Sequence, residues 1–223
     1  MIAIKRYDDQ ISAFCKDVNV AYQFLNYMAR HHKYPFDDQV QFFAYNQNAN
    51  LIASYGQWEN LKRPVQARER AMRIINLKTK EFTNCFDVTQ TNGNDVKVFN
   101  WEINELDQKN LNIYWSQNNP ELGNSTSFTN KLDSFMFKQF SLQTNQTYQL
   151  PPDERSQILT CAKFLINKRM DMITPTLKAK TWQILHKTTD EENFKQLLRT
   201  SQNIARQTTF AVEKILQKNI IRS

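Results

Sequence analysis

The sequence predicts an α+β fold, in which N-terminal helices and a small antiparallel sheet or hairpin precede an all-helical C-terminal region. Apolar residues recur at three- and four-residue spacing over about 10–30, as an amphipathic helix requires. Two apolar and β-branched runs within 70–90 are separated by a polar turn and predict a β-hairpin. From 151 onward the apolar spacing is helical again, so only helices are expected at the C-terminal end.

Length and glycine content bear on the domain organisation. A chain of 223 residues with 40% hydrophobic content can form one large domain, or a core domain with an appended helical unit. The three glycines leave few positions for left-handed turns, which favours long helices over a many-turned β-sandwich. We predict an α+β domain over 1–95, a connecting region of loop and helix over 96–150, and a helical region over 151–223.

The composition also indicates a cellular compartment. No run approaches the roughly eighteen apolar residues of a membrane helix, and the start, MIAIKRYDDQ, does not have the pattern of a secretory signal. Three cysteines, which lie far apart in the sequence, fit reduced buried thiols better than disulfides or a clustered metal site. We therefore expect a cytoplasmic protein with no membrane association.

Positive charge is unevenly distributed along the chain. Residues 1–100 carry 13 basic and 10 acidic groups, residues 101–152 carry 3 and 5, and residues 153–223 carry 13 and 7. A basic excess attracts polyanions such as nucleic acid, although Lys and Arg also solvate helix surfaces. Between 62 and 80, Glu69 is the one acid among seven basic residues. These are Lys62, Arg63, Arg68, Arg70, Arg73, Lys78 and Lys80.

The N-terminal segment predicts two helices. The apolar stripe of the first, which we expect in the core, comprises Ile11, Phe14, Cys15, Val18, Tyr22, Leu25 and Met28. Tyr34-Pro35-Phe36 ends this helix, and Asp37 or Asp38 is expected to cap the next one. His31 and His32 are adjacent, and adjacent side chains point apart on a helix, so no metal site is predicted there.

An aromatic and amide-rich segment follows the second helix. Its amides suit base edges or sugar groups, but they equally suit the simple termination of a helix. Residues 51–54 predict a short buried strand, and Trp58 in the next helical turn lies either in the core or at its rim. Tyr and Trp rings stack on unpaired bases, whereas Lys and Arg contact phosphates. The nucleic-acid-binding candidates are Lys62, Arg63, Arg68, Arg70, Arg73, Tyr45, Asn46, Gln47 and Trp58.

The predicted hairpin lies directly after the start of the basic segment. Residues 72–77 predict its first strand, Lys78–Glu81 its turn and residues 82–88 its second strand. If the first strand begins early, Arg68 and Arg70 project from one side of it. Basic and aromatic side chains on consecutive elements together indicate a nucleic-acid-binding surface.

An ordered series of motifs runs through residues 20–92. It comprises Tyr34-Pro35-Phe36 with Gln39, Tyr45-Asn46-Gln47-Asn48-Ala49, Trp58, Leu61, Lys62-Arg63-Pro64-Val65, Glu69 and Phe86-Asp87-Val88-Thr89-Gln90-Thr91. In this order the motifs resemble the N-terminal domain of ArdC-type antirestriction proteins, a domain also found ahead of plasmid primases, helicases and methylases of mobile elements. Family members typically read Y-S-F-x-N-Q, then Q-N-P-x-A, then W-x-x-x-G-R-x-V-x-x-G-E-K-G, then F-D-x-x-Q-T. The resemblance implies single-stranded DNA binding.

This chain departs from the family pattern at several positions. Ala67 and Ala71 stand where the family has two glycines around its Glu-Lys pair, Arg70 replaces that Lys, and Asn48-Ala49 lacks the intervening Pro. Without those glycines we expect a more ordered basic loop and a different ligand. Full-length ArdC-type proteins continue into a metallopeptidase-like domain with an H-E-x-x-H helix. This sequence has no such motif, which excludes a zinc protease.

Three classes of function remain open. The first is a mobile-element anti-defence protein, of antirestriction or anti-CRISPR type, that binds single-stranded DNA or RNA. The second is an inhibitor that binds a host defence complex or its guide RNA directly. The third is a metal-dependent nuclease that uses scattered carboxylates such as Asp87 and Asp95, although a hairpin Asp is more often bonded to the backbone. No catalytic motif favours an enzyme, and no cofactor is predicted.

The C-terminal half carries less functional information. A stretch rich in Asn, Ser and Thr predicts a surface loop before a helix over about 129–141. Pro175 separates two later helices, the second of which contains Leu177, Trp182 and Leu185, and Asp190 caps another. Basic residues on these helices either extend a nucleic-acid path or keep the helices soluble, and we favour solubility. They include Lys163, Lys168, Arg169, Lys178 and Lys180.

Overall fold

A computed structural model describes residues 2–96, 103–122, 127–144, 152–172 and 190–220. The chain has an α+β fold that is mostly helical and includes a small antiparallel sheet, as the sequence predicts. The described residues form two compact units. The first comprises 2–96 and 190–194, and the second comprises 103–122, 127–144, 152–172 and 195–220. The second unit thus draws on both the predicted connecting region and the predicted C-terminal region.

Four helices belong to the N-terminal part of the first unit. They are α1 (Ile2–Lys16), α2 (Val18–Arg30), α3 (Phe36–Tyr45) and α4 (Tyr55–Asn60). The single helix predicted over about 10–30 is wrong, because the chain breaks at Asp17. The Asp17 backbone is extended, and its carboxylate accepts a hydrogen bond from the Asn19 N–H at 2.8 Å, which starts α2 as a separate helix.

Three short strands form one antiparallel sheet in the order β1-β3-β2. They are β1 (Ile52–Ser54), β2 (Met72–Ile75) and β3 (Phe82–Asp87). The predicted hairpin is confirmed, with Met72 opposite Cys85 and Ile75 opposite Phe82. The central strand β3 also pairs with β1, where Ala53 lies opposite Phe86. The first hairpin strand begins at Met72, so Arg68 and Arg70 precede it and do not project from it.

Aromatic rings dominate the core of the first unit. Phe14 and Phe24 stack with centroids 4.2 Å apart, and Phe43 meets Phe24 edge-on at 5.3 Å. Tyr22, which was predicted to lie in this core, is 45% exposed. The break at Asp17 starts α2 as a new helix, so its buried face does not continue the apolar stripe of α1 and does not include Tyr22. Neither Asp37 nor Asp38 caps α3, since Pro35 occupies the cap position and Asp37 accepts a 2.6 Å hydrogen bond from the Tyr7 hydroxyl.

Side chains of α3 cover the outer edge of β2. The Gln41 amide donates to the Ile75 carbonyl at 3.0 Å and accepts from the Ile75 N–H at 2.9 Å. The Tyr45 hydroxyl donates to the Arg73 carbonyl at 3.1 Å. An edge strand otherwise presents unpaired backbone groups, so α3 both terminates the sheet and fixes the hairpin to the helical core.

The second unit contains helices alone in its described residues. They are α5 (Glu105–Asn118), α6 (Phe128–Thr144), α7 (Pro152–Arg169) and the larger part of α8 (Glu191–Ile220). Trp115 is fully buried and stacks between Phe128 and Phe135, at 5.8 and 5.7 Å. The helix predicted over 129–141 is confirmed, whereas the one with Leu177, Trp182 and Leu185 lies outside the described residues. Asp190 caps α8 through the Asn193 N–H at 2.8 Å, as predicted.

The three cysteines are free thiols. Cys85 and Cys161 are buried free thiols, as predicted, and Cys15 is a half-buried free thiol. Burial raises the pKa of the Cys85 thiol to about 11, so this group stays protonated near neutral pH. Within the described segments, every helix is too short or too polar to cross a bilayer.

We expect Gln41→Leu to destabilise the protein by about 1–3 kcal/mol, because it leaves the Ile75 N–H and carbonyl without their partner at a site that is only 2% exposed. Urea unfolding followed by circular dichroism measures this change. The control is Gln23→Leu at an exposed position of α2, which should stay within about 0.5 kcal/mol of the parent. Equal stability of the two variants would show that the Gln41 contacts do not hold the sheet edge.

Candidate nucleic-acid interface

Six basic side chains around the hairpin are exposed and form what we call the cationic face. They are Lys62, Arg68, Arg70, Arg73, Lys78 and Lys80. None of them lies within ion-pair distance of a carboxylate in the described residues. The nearby acid Glu69 is engaged instead by the Gln90 amide, at 2.7 Å. The positive charge of this face is therefore not neutralised by its own neighbours.

Three residues of the cationic face have left-handed backbone conformations. The φ angles are +56° at Lys62, +68° at Arg68 and +64° at Lys80. Side chains other than Gly and Asn rarely adopt this region, because Cβ crowds the backbone. Within residues 2–96, every residue other than glycine that has a positive φ angle is basic. The tight turns fix the directions from which these three side chains leave the backbone.

An arginine and an exposed aromatic ring lie together on the hairpin. The Arg73 guanidinium lies over the Phe82 ring, 4.1 Å from its centroid, and Arg73 is directly opposite Asn84 in the strand register. Phe82 is 44% exposed. Neither Phe82 nor Asn84 was selected from the sequence. Their position beside Arg73 follows from the register, which depends on the length of the turn, and this turn runs from Asn76 to Glu81.

Tyr45 joins the same region through a second arginine–aromatic pair. The Arg6 guanidinium lies 4.2 Å from the Tyr45 ring centroid, and the Tyr45 hydroxyl bonds to the Arg73 carbonyl. The structure therefore brings the predicted residues Tyr45 and Arg73 together and adds Arg6. Arg6 precedes the helix predicted over about 10–30 and was not among the predicted binding residues. One face of the Tyr45 ring is occupied by Arg6, so that face is not open to a base.

Trp58 is a core residue, and its selection as a base-stacking residue is wrong. Its side chain is 0% exposed, and its indole N–H donates to the Phe86 carbonyl at 2.9 Å. A capping box made by Ser54 and Gln57 starts the short helix α4 that turns Trp58 inward. A base therefore has no access to the indole ring.

Arg63 is also a structural residue, and its selection as a phosphate contact is wrong. It is 7% exposed. Its guanidinium donates to the Thr91 hydroxyl at 2.9 Å, to the carbonyls of Thr91 and Gly93 at 3.3 and 2.9 Å, and to the Asn94 carbonyl. Five N–H donors are all that a guanidinium has, and most of them are used here. Arg63 therefore ties the start of the basic loop to the segment after β3.

The two amide candidates lie in the turn after α3. The Asn46 side-chain oxygen accepts from the Asn48 N–H at 3.0 Å, and the Asn46 carbonyl accepts from the Ala49 N–H at 3.2 Å. The Gln47 carbonyl accepts from the Arg30 guanidinium at 3.2 Å, while its side chain is exposed. Asn46 therefore terminates the helix, and Gln47 presents an amide to solvent.

Asp87 is a structural carboxylate. It is 3% exposed and accepts hydrogen bonds from the N–H groups of Asn50, Leu51 and Thr89, at 2.8, 3.3 and 3.0 Å. The Thr89 hydroxyl donates to it at 2.7 Å. The expectation that this Asp bonds to backbone is confirmed, and a metal ion at Asp87 would have to displace these bonds. In the part of the chain that the structure describes, no three His, Cys, Asp or Glu residues cluster as metal ligands.

Comparisons with known proteins do not assign a family to this chain. No protein-family model, curated protein or solved structure matches it. The similarity to the ArdC-type N-terminal domain therefore stays a prediction, and function is argued from the contacts described above.

We expect Arg63→Met to destabilise the protein by at least about 1.5–3 kcal/mol, because it removes charge-assisted hydrogen bonds to three carbonyls and a hydroxyl. Arg68→Met, at an exposed position with no such contacts, serves as the matched control and should change stability by less than about 0.5 kcal/mol. Thermal or urea unfolding of the two variants tests the assignment. A destabilisation confined to Arg68→Met would reverse the roles given to the two arginines.

His31 supplies a pH dependence of stability. Burial lowers the pKa of His31 to about 4, and its neutral Nε2–H donates to the Ala49 carbonyl at 2.9 Å. The unfolded chain binds the proton near the ordinary pKa of 6.5, so stability should fall as the pH decreases from about 6.5 to about 4. The full loss is about 3 kcal/mol at roughly 1.4 kcal/mol per pKa unit.

His31→Gln tests this dependence, because Gln keeps an amide donor for Ala49 but does not titrate. Urea unfolding at a series of pH values should show a smaller loss of stability in the variant than in the parent over that window. Parallel curves for the two proteins would mean that His31 is not the group responsible.

Proposed function

We propose that the N-terminal unit binds single-stranded nucleic acid, DNA or RNA, through the cationic face. We further propose that the protein is an anti-defence factor of a phage, plasmid or other mobile element, of antirestriction or anti-CRISPR type. The first part is supported by the contacts of the hairpin region. The second part is supported by the resemblance to the ArdC-type N-terminal domain. Cytoplasmic action is consistent with three free thiols.

The observation that carries the binding proposal is an exposed set of cations without carboxylate partners in the described residues, next to arginine–aromatic pairs. A polyanion gains most from cations that are not already neutralised, because each phosphate contact releases a condensed counterion. Arg6 and Arg73 are also held over rings, at 4.2 and 4.1 Å, which orients their guanidinium groups before a ligand arrives. Less side-chain entropy is then lost on binding.

The backbone of the basic loop supports the family resemblance. Counted residue by residue from Trp58, the pattern W-x-x-x-G-R-x-V-x-x-G-E-K-G places its first two glycines at Lys62 and Arg68. The second glycine therefore corresponds to Arg68, and its alignment with Ala67 is wrong. Lys62 and Arg68 are two of the positions with positive φ. A pattern that requires glycine where this chain has a left-handed backbone fits a shared loop conformation. In this chain the two positions carry charge instead.

The motif residues of the resemblance also contact one another. Trp58 bonds to Phe86, Arg63 bonds to Thr91, and Glu69 bonds to Gln90. Because the motif residues contact one another, the motifs report on how the chain folds. The resemblance therefore supports a shared fold more directly than a shared ligand. The ligand proposal accordingly depends on the cationic face.

The double variant Arg68→Gln/Arg70→Gln tests the binding proposal. Binding of a fluorescent mixed-sequence single strand is measured by anisotropy at several salt concentrations, once with DNA and once with RNA. We expect weaker binding, and a slope of log affinity against log salt that is flatter by about 1.4, since each lost phosphate contact in a single strand contributes about 0.7. The matched control is Lys16→Gln/Lys33→Gln, which removes the same charge from exposed positions outside the cationic face.

Each outcome of this experiment bears on the proposal. An equally flattened salt slope in both double variants would mean that binding depends on net charge alone and not on the cationic face. An unchanged slope in a folded Arg68/Arg70 variant would exclude the basic loop as the contact. No single-strand binding by the parent, together with a stoichiometric complex with a host defence protein, would replace the proposal by direct inhibition.

A further inference from the structure

We propose that the outer face of β3 is a base-stacking platform, on which Phe82 and Tyr55 each hold an unpaired base and Asn84 contacts a base edge between them. The proposal rests on the proposed single-strand binding and adds where the bases lie. The cationic face supplies phosphate contacts, whereas this platform supplies contacts that only unstacked, unpaired bases can make.

The alternation of β3 places three side chains on one face. Phe82, Asn84 and Phe86 are two residues apart, so they point to the same side of the strand. Phe82 and Asn84 are exposed, and Phe86 is 9% exposed. Arg73 of the neighbouring strand lies opposite Asn84 and shares this face. An aromatic, an amide and a guanidinium thus stand side by side on the sheet.

Tyr55 extends this face beyond Phe86. Its ring meets the Phe86 ring edge-on, with centroids 6.4 Å apart, and Tyr55 is 49% exposed. Ser54 and Gln57 form a capping box that fixes the first turn of α4, in which Tyr55 is the first residue. Tyr55 is therefore an exposed ring on a rigid turn, and rigid rings lose little entropy when they stack.

The spacing of the two exposed rings suits a single strand. Phe82 and Phe86 are four residues apart, which is about 13 Å along a strand, and Tyr55 packs at the Phe86 end. Asn84 lies midway between Phe82 and Phe86 on this strand, so its amide stands between a base stacked on Phe82 and the end of the strand where Tyr55 packs. Its amide offers one donor group and one acceptor, which every base edge can match, so the platform should tolerate any sequence.

The charges around the platform favour nucleic acid over a protein partner. Arg73 covers one face of the Phe82 ring and places a guanidinium next to the proposed base, and Lys78 and Lys80 lie in the turn that leads to Phe82. The nearest acid in sequence, Glu81, accepts a hydrogen bond from the Thr79 hydroxyl at 3.0 Å. The two exposed rings are separated by the polar Asn84 and do not form the continuous apolar patch typical of protein docking.

The test compares two fluorescent oligonucleotides of equal length, one with mixed bases and one whose sugars are abasic. Anisotropy at several salt concentrations should show that the parent binds the abasic strand, and also a matched duplex, more weakly than the base-containing single strand. Tyr55→Ala should reduce affinity for the base-containing strand by about 5- to 150-fold, with an unchanged salt slope and unchanged affinity for the abasic strand. Phe82→Ala should show the same loss on the base-containing strand beyond whatever it loses on the abasic strand, because the Phe82 ring also holds Arg73. Tyr22→Ala, which removes a ring of similar exposure from α2, is the matched control and should have no effect.

Phe82→Leu accompanies Phe82→Ala, because it keeps apolar volume on the hairpin while removing the ring, and it should lose the same affinity in a folded protein. Photocrosslinking of a 5-iodouracil strand should label peptides that contain Phe82 or Tyr55. Equal binding of the abasic and base-containing strands, or full affinity in folded Phe82 and Tyr55 variants, overturns the platform while leaving the phosphate contacts in place. Failure of the parent to bind any strand overturns the proposed function itself.

Discussion

The carboxylate of Asp87 is the interaction on which the first unit depends most directly. It is almost fully buried and accepts hydrogen bonds from Asn50, Leu51 and Thr89. It therefore holds the segment entering β1 against the end of β3, and β3 is the strand that pairs with both of the others. A buried carboxylate is tolerated only when its oxygens are satisfied, so its four bonds define the geometry of this junction as well as stabilise it.

The other contacts at this end of β3 build on the same junction. Trp58 reaches the Phe86 carbonyl, Arg63 reaches Thr91, and the Gln90 amide joins Glu69 to the Arg70 carbonyl at 2.7 and 3.0 Å. The Trp58 and Arg63 contacts are buried and tolerate little change, because removing one partner leaves the other unsatisfied, whereas the Gln90 contacts lie at the surface. Trp58, Arg63 and Gln90 thus hold the basic loop against the end of the hairpin.

This distinction explains which features the sequence could predict. The hairpin follows from local alternation and a polar turn, and β1 follows from a short apolar run. The burial of Trp58 and Arg63 does not follow, because their partners lie 28 or more residues away and neither residue is part of a periodic stripe. The exposure of Phe82 could not be predicted for a related reason. A Phe at the start of a strand is usually expected in the core, and only the strand register shows that it lies beside Arg73 at an exposed end of the hairpin.

The left-handed positions show how the same loop serves structure and charge together. Glycine would adopt φ near +60° at Lys62, Arg68 and Lys80 without the crowding of a Cβ, and a basic residue there costs roughly 1 kcal/mol of local backbone energy. Contacts from Arg63 to Thr91 and from Gln90 to Arg70 hold the turns at Lys62 and Arg68 in place against that cost. In the hairpin turn the Lys80 N–H donates to the Asn76 carbonyl at 2.8 Å. Because these turns are fixed, the side chains of Lys62 and Arg68 leave the backbone in fixed directions, and the contacts of Arg63 and Gln90 thereby help to set the geometry of the cationic face.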